Sequence, residues 1–220
     1  MLKLYHLPLS ANSRRVWIAL LEKGLPFEEV LLKLDGDQYQ PEFLELNPFH
    51  HVPVLVDDGF RVVESLAILD YLEVKYPIPP LMPSEAKAIA TVRMVQMLSI
   101  TELWSPMIRL TSEVMGFVKN DAEKLEKARQ QVHTVLSFFE SQLDDSPYFG
   151  SNHLTLGDIT AGTLVTQLPS IGVLLDDYPK VIGWCDHLMQ RDSWKATEPS
   201  PEAIEALIPQ AKALMRAYLT

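Results

Sequence analysis

The sequence has very little cysteine: one residue, Cys185, among 220. A single cysteine excludes an intramolecular disulfide, a CxxC redox pair and a cysteine-rich metal site. It also lies far along the chain, in a predicted late helix, away from the loops that carry the other candidate residues. Chemistry in this protein must therefore use hydroxyls, imidazoles, carboxylates or a thiol that belongs to a ligand.

Long apolar runs and an excess of positive charge are also missing. No apolar stretch approaches the ~20 residues that span a bilayer, and the beginning, MLKLYHLPLSANSRR, lacks the basic-then-apolar order of a signal peptide. We therefore expect a cytoplasmic protein with no membrane partner. Nineteen Lys and Arg against 29 Asp and Glu give a formal charge of −10, which repels phosphate backbones and makes nucleic acid an unexpected partner.

Two sequence patterns divide the chain. Residues 1–77 mix short apolar runs with helical periodicity in the order β-α-β-(α)-β-β-α, whereas residues 86–220 show helical periodicity alone. Residues 78–85 hold three of the 16 prolines and predict an extended linker. A strand-helix-strand opening followed by a tight hairpin predicts a mixed four-stranded sheet covered by helices. The expected fold is thus a thioredoxin-like α/β domain followed by an all-helical domain.

The second half contains five candidate helices and one strong local signal. In LTLGDI, Thr155 and Asp158 have the spacing of a capping box, with a hydrophobic staple from Leu154 to Ile159. We interpret this motif as folding chemistry, not as a catalytic site. The candidate helices span residues 87–118 with a break near Ser105-Pro106, 122–143, 155–168, 180–190 and 202–218.

The loop after the first strand, LPLSANSR, places two hydroxyls at the start of a predicted helix. Ser10 or Ser13 can cap this helix, which is the ordinary role of serine there. In the same place a hydroxyl can donate to an anion that the free N–H groups and the helix dipole attract. A hydrolase with Ser10 as nucleophile is set aside, because its GxSxG turn is absent.

Two further segments, HHVPVL and ES, lie around the predicted hairpin. Pro53 at the head of a strand is expected in the trans form; a cis Val52-Pro53 bond would instead free the Val52 backbone to pair with an extended peptide. His50 and its neighbour His51 are a weak metal pair without a third ligand.

Glu64 and Ser65 end the hairpin and begin the next helix. Ser65 is predicted to cap this helix and, with its N–H and hydroxyl, to form a small anion site. Glu64 beside it offers an acceptor for an ammonium group. Together the pair suits the head of an amino acid that carries both charges. Taken separately, they are a cap and a surface charge.

These segments together resemble a cytosolic glutathione transferase: KLYHLPLSANSRRVWIAL, NPFHHVPVLVDDGFRVVESLAILDYL, a proline-bearing linker and LTLGDI. The resemblance covers essentially the whole chain. It implies that residues 1–77 bind glutathione, that residues 86–220 contribute the hydrophobic co-substrate site, and that the protein is a homodimer. The implied reaction conjugates the glutathione thiolate to hydrophobic electrophiles in detoxification, with glutathione as co-substrate and with no metal or prosthetic group.

The resemblance also implies a catalytic hydroxyl. Ser10 follows its strand as the thiol-activating serine does in the serine-type classes (theta, delta and zeta, with the bacterial chi class as a further candidate), and Ser13 is the fallback. His6 stands at the position of the hydroxyl in tyrosine-type classes, with Tyr5 one residue out of phase and facing away. Asn12 stands where the zeta motif has cysteine, which weakens an isomerase assignment.

The remaining implied contacts concern glutathione itself. His50 matches a contact to the glycyl end, Val52 with Pro53 matches a contact to the cysteinyl backbone, and Glu64 with Ser65 matches the γ-glutamyl site. The alternative function is that of a non-catalytic ligand carrier or assembly module with the same fold.

Overall fold

A computed structural model describes residues 1–143 and 146–219; residues 144, 145 and 220 of the predicted helical domain lie outside it. The chain divides into two compact units. The first contains Met1–Leu81 and Asp192–Gln210, and the second contains Met82–Arg191 and the residues from Ala211 onward.

The first unit is built on one four-stranded sheet with the strand order β2-β1-β3-β4. Its strands are β1 (Leu2–His6), β2 (Phe27–Leu31), β3 (Val54–Asp57) and β4 (Phe60–Val63). β1 runs parallel to β2 and antiparallel to β3, and β3 is antiparallel to β4. The predicted mixed sheet and thioredoxin-like fold are confirmed.

The two faces of this sheet are covered by different helices. Alternation along β1 buries Leu4 and His6 on one face, where the His6 ring lies 5.0 Å from the ring of Trp17 in α1 (Ala11–Glu22). Helix α3 (Ser65–Lys75) packs beside α1. On the other face, Tyr5 and Val54 join an apolar cluster with Phe43 of α2 (Pro41–Leu46).

The buried lysine at the end of α1 holds the end of α3. The Lys23 ammonium donates to the carbonyls of Tyr76 and Pro79 at 2.8 and 2.9 Å and lies 2.7 Å from the Glu73 carboxylate. The final carbonyls of a helix have no partner within the helix, so a cation there stabilises its end. This contact fixes the exit from α3.

The segment after residue 191 returns to the first unit. It contains α9 (Asp192–Ala196) and the start of α10 (Pro201–Leu219). Buried Arg14 of α1 donates to the hydroxyl of Thr197 at 3.2 Å and to the carbonyl of Trp194 at 3.3 Å. Helix α9 was not predicted, because five residues are too few to show a helical period.

The second unit is helical in all its described long segments, as predicted. None of the described helices is both long and apolar enough to cross a bilayer. The helices are α4 (Ala86–Leu98), α5 (Trp104–Val114), α6 (Ala122–Gln142), α7 (Leu156–Val165) and α8 (Pro179–Met189), with the last part of α10.

The predicted break at Ser105-Pro106 is wrong in position. The interruption is a turn of π-helix at Ser99–Leu103, and Pro106 lies inside α5. Because Pro106 has no N–H, it cannot bond the carbonyl of Glu102 four residues earlier. The side chain of Gln131 donates to that carbonyl instead, at 3.0 Å. A side chain from α6 thus satisfies the carbonyl that the proline leaves without a helical donor.

The predicted capping box at the start of α7 is present. Thr155 accepts from the Asp158 N–H, and the Asp158 carboxylate accepts from the Thr155 N–H at 2.7 Å. The same buried carboxylate also accepts from the Phe149 N–H at 3.0 Å and from the indole N–H of Trp184 at 2.8 Å. One side chain therefore joins the helix start, the preceding loop and α8.

Candidate functional site

Three loops leave the sheet at the same edge, where the ends of neighbouring strands lie side by side. Tyr5 of β1 pairs with Val54 of β3, and Val54 pairs with Val63 of β4. The segment after β1, the segment before β3 and the turn after β4 therefore emerge side by side. The register of the sheet gathers the three predicted site segments, although they lie up to 58 residues apart, from Leu7 to Ser65.

The two candidate hydroxyls at the start of α1 differ in exposure. Ser10 is the N-cap of α1, and its Oγ accepts from the Ser13 N–H at 3.4 Å. Ser13 is fully buried, and its Oγ accepts from the Leu7 N–H at 3.3 Å. The capping interpretation of Ser10 is confirmed. In its hydrogen bond with the Ser13 N–H, the Ser10 oxygen is the acceptor. The hydroxyl hydrogen of Ser10, which is partly exposed, is therefore available to a ligand.

His6 faces the interior of the protein. It has no exposed surface, and its Nε2 lies 3.3 Å from a carboxylate oxygen of Glu29. Burial lowers the pKa of His6, while Glu29 partly opposes this shift. The imidazole is thus held neutral at neutral pH and away from solvent. The His6 side chain therefore offers no group that a ligand could reach.

The Val52-Pro53 peptide bond is cis, so the expectation of a trans bond was wrong. The preceding loop is held by Asn47, whose amide donates to the His51 carbonyl at 2.8 Å and whose Oδ1 accepts from the Phe49 N–H at 3.1 Å. The trans form is preferred in an isolated X-Pro dipeptide, but in an ordered loop the surrounding fold locks one isomer. Within the described residues, the Val52 N–H and carbonyl have no hydrogen-bond partner.

His50 lies in the same loop with a left-handed backbone, φ 51°. Its ring lies 4.9 Å from that of Tyr39 and 5.2 Å from that of His51, measured between centroids. Over the residues that the structure describes, no group of three or more His, Cys, Asp or Glu side chains is placed to hold a metal ion. His50 is partly exposed and can act as a hydrogen-bonding group.

Glu64 and Ser65 are arranged differently from the prediction. Glu64, not Ser65, is the N-cap of α3, so the predicted cap was wrong by one residue. Glu64 has φ 68° and ψ 116°, a conformation that is strained for a residue with a side chain. Its side chain is exposed and forms no cap hydrogen bond. The Ser65 oxygen instead accepts from a guanidinium N–H of Arg15 at 3.3 Å.

This corner can bind both charges of an amino-acid head. In the described part of the chain, the Glu64 carboxylate has no ion-pair partner and is open to an ammonium group. Beside it, the first N–H groups of α3 and the Ser65 hydroxyl can donate to a carboxylate. The strained backbone of Glu64 is a reason to expect function at this point, since strain collects at ligand sites.

Sequence reasoning missed Arg15. The pair Arg14-Arg15 was visible, but arginine is ordinarily exposed, and both side chains are buried here. The one available signal was their position beside the apolar residues of α1. Cys185, in contrast, lies buried in α8, and burial raises the pKa of its thiol to about 12, so it is unreactive.

Comparison with known proteins gives a consistent result. Residues 4–80 match the family model for the glutathione S-transferase N-terminal domain, and residues 70–192 match that for the C-terminal domain. A glutathione S-transferase from Arabidopsis thaliana is 32% identical over 199 residues, which cover 86% of this chain and 92% of that protein. One from Hyoscyamus muticus is 32% identical over 209 residues, 90% of this chain and 98% of its own length.

A solved structure shows the same agreement. A delta-class glutathione transferase from Nilaparvata lugens superposes with a TM-score of 0.81 at 26% identity, over 97% of this chain and 99% of that one. The matches thus extend over both units.

Proposed function

Because the chain belongs to the glutathione S-transferase family, we propose that Ser10 activates the thiol of glutathione and that the thiolate is transferred to hydrophobic electrophiles in detoxification. One observation carries the proposal. Ser10 keeps an accessible hydroxyl at the start of α1, at the sheet edge that also presents Val52 and Glu64. The co-substrate is glutathione, with no prosthetic group.

The free energy needed to ionise the bound thiol at neutral pH is modest. A free thiol has a pKa near ~8.5, and lowering it by about two units requires roughly 2.7 kcal/mol of preferential thiolate stabilisation. A hydrogen bond from Ser10 to the charged sulfur contributes about 1.5 to 3 kcal/mol, and the dipole of α1 about 0.3 to 1 kcal/mol. The two together contribute about 1.8 to 4 kcal/mol, a range that includes the energy required. With an aryl halide, the sulfur–carbon bond forms as halide departs, and the thiol proton passes to water.

The same edge provides contacts for the whole tripeptide. The unpaired Val52 N–H and carbonyl can form two backbone hydrogen bonds to the cysteinyl residue, as an added strand would. Glu64 and Ser65 receive the γ-glutamyl head, and His50 the glycyl end. This assignment places the sulfur between the peptide contact at Val52 and the hydroxyl of Ser10.

We expect Glu64→Ala to weaken glutathione binding by about 1 to 3 kcal/mol, because the ammonium of the ligand loses its charged partner. At φ 68°, alanine is as restricted in its backbone as glutamate, so the substitution measures the loss of the carboxylate and not a change in backbone strain. Titration calorimetry measures the change. Glu42→Ala, in the first turn of α2, is the control and should leave the affinity unchanged. Equal affinities for the parent and Glu64→Ala would disprove the γ-glutamyl assignment.

We also propose a cytoplasmic homodimer in which residues 1–77 form the glutathione-binding domain, 78–85 the linker and 86–220 the co-substrate domain. Two-fold dimers are the commonest closed assemblies. Light scattering at micromolar concentration should give about twice the 24.9 kDa chain mass. A particle of one chain mass would contradict the dimer.

A further inference from the structure

A fully buried guanidinium lies behind the start of α3. Arg15 has no exposed surface, and its Nη1 donates a hydrogen bond of 3.3 Å to the Ser65 oxygen. In the described part of the chain, its Nε and Nη2 have no hydrogen-bond partner, and no carboxylate pairs with it. Burial lowers the pKa of Arg15 to about 9, so the group keeps its charge at neutral pH.

The neighbouring residue shows that this is not a general property of α1. Arg14 is also buried, but its guanidinium donates to Thr197 and to the Trp194 carbonyl. A buried charge without such partners is costly to the folded state. The Arg15 guanidinium therefore has no anionic partner within the described protein. An anion bound at Ser65, where α3 begins, would compensate its charge.

The hydrogen-bond direction gives the chemistry of that anion. A guanidinium can only donate, so the Ser65 oxygen must be the acceptor. The hydroxyl hydrogen of Ser65 is then available for an acceptor on the other side, and a cationic donor behind it strengthens the bond that it makes. A carboxylate fits this arrangement, whereas an ammonium, which has no acceptor, does not.

We propose that Arg15 is a positioning residue that acts through Ser65 to select the free carboxylate of the γ-glutamyl head. Arg15 is enclosed and touches no ligand, so its effect depends on the Ser65 hydroxyl. With Glu64 taking the ammonium, the two ends of the amino-acid head are assigned separately. This inference rests on the proposed glutathione site and adds to it the residue that sets the orientation of the ligand.

The test compares glutathione with γ-aminobutyryl-cysteinyl-glycine, which lacks only that carboxylate. By calorimetry the parent should prefer glutathione by roughly tenfold to a hundredfold, the range of one or two charge-assisted hydrogen bonds. In Arg15→Gln the preference should fall by at least about fivefold, mainly through weaker glutathione binding, while the affinity for the analogue stays within about twofold. A loss shared equally by both ligands would show a merely structural role and overturn the proposal.

Arg14→Gln is the matched control, since it removes an adjacent buried guanidinium that does not contact Ser65. It should lower the Tm and leave the ligand preference unchanged. If Arg15→Gln does not fold, Ser65→Ala replaces it, because it removes the hydroxyl through which Arg15 is proposed to act; a preference equal to that of the parent would then overturn the proposal. A parent that binds glutathione without preferring it to the analogue refutes this inference alone, whereas a parent that binds no glutathione refutes the proposed function with it.

Discussion

Replacing Ser10 with alanine is expected to lower kcat/KM at neutral pH by roughly tenfold to a hundredfold, with much of the rate returning as the pH rises. The variant loses the donor that stabilises the thiolate, so the apparent pKa of the bound thiol rises, and alkaline solution restores the reactive form. Glutathione affinity should change little, because Val52, Glu64 and Ser65 hold the peptide. The measurement is a pH–rate profile with a reactive aromatic halide or an isothiocyanate.

Ser13→Ala is the internal control for this experiment. The Ser13 hydroxyl is buried and accepts the Leu7 N–H, so its removal should cost about 1 to 3 kcal/mol of stability without shifting the profile. Ser10→Ala should also cost about 1 kcal/mol through the lost cap. An unmoved profile in the Ser10 variant would refute its role, and a shift in the Ser13 variant alone would move the assignment there. A parent that binds glutathione yet converts no electrophile would favour the ligand-carrier function.

The largest stability effect is expected at the start of α7. Asp158→Ala should lower the free energy of unfolding by about 3 to 5 kcal/mol, because it leaves buried donors without an acceptor. The donors are the backbone N–H groups of Phe149 and Thr155 and the indole N–H of Trp184. Urea unfolding, followed by tryptophan fluorescence, measures the loss.

Two variants define what Asp158 contributes. Asp121 also caps a helix, α6, but is exposed and accepts one N–H, from Glu123, so Asp121→Ala should cost only about 1 kcal/mol. Asp158→Asn should lower the free energy of unfolding by an intermediate amount. One carboxylate oxygen is replaced by an NH2 group, which then faces hydrogen-bond donors instead of accepting from them. If Asp158→Ala and Asp121→Ala have equal costs, the connected hydrogen bonds around Asp158 add nothing beyond a helix cap.

Features with a local cause could be predicted from the sequence. Thr155 and Asp158 form a capping box because they lie three positions apart in the sequence, whatever surrounds them. The hairpin follows from the turn at Gly59 between two apolar runs, and α3 ends before Pro77 because proline cannot continue a helix. These local elements were enough to predict a mixed four-stranded sheet; the strand order β2-β1-β3-β4 and the place where the candidate segments meet come from the structure.

Features with a distant cause could not be predicted. The carbonyl of Glu102, which Pro106 leaves without a helical donor, accepts from Gln131 of α6. Ser65 has the local pattern of an N-cap, yet its oxygen accepts from Arg15, 50 residues earlier. In each case the deciding partner is supplied by another element of the fold, and periodicity does not encode it.

Because residues 192–210 return to the first unit, that unit cannot finish folding early in synthesis. A ribosome releases the chain from its beginning, and domains that are continuous in sequence can fold as they emerge. Here the buried donors of Arg14 find Thr197 and Trp194 only after most of the second unit has been synthesised. The sheet can assemble early, but the Arg14 guanidinium gains these partners only after residues 192–210 have also left the ribosome.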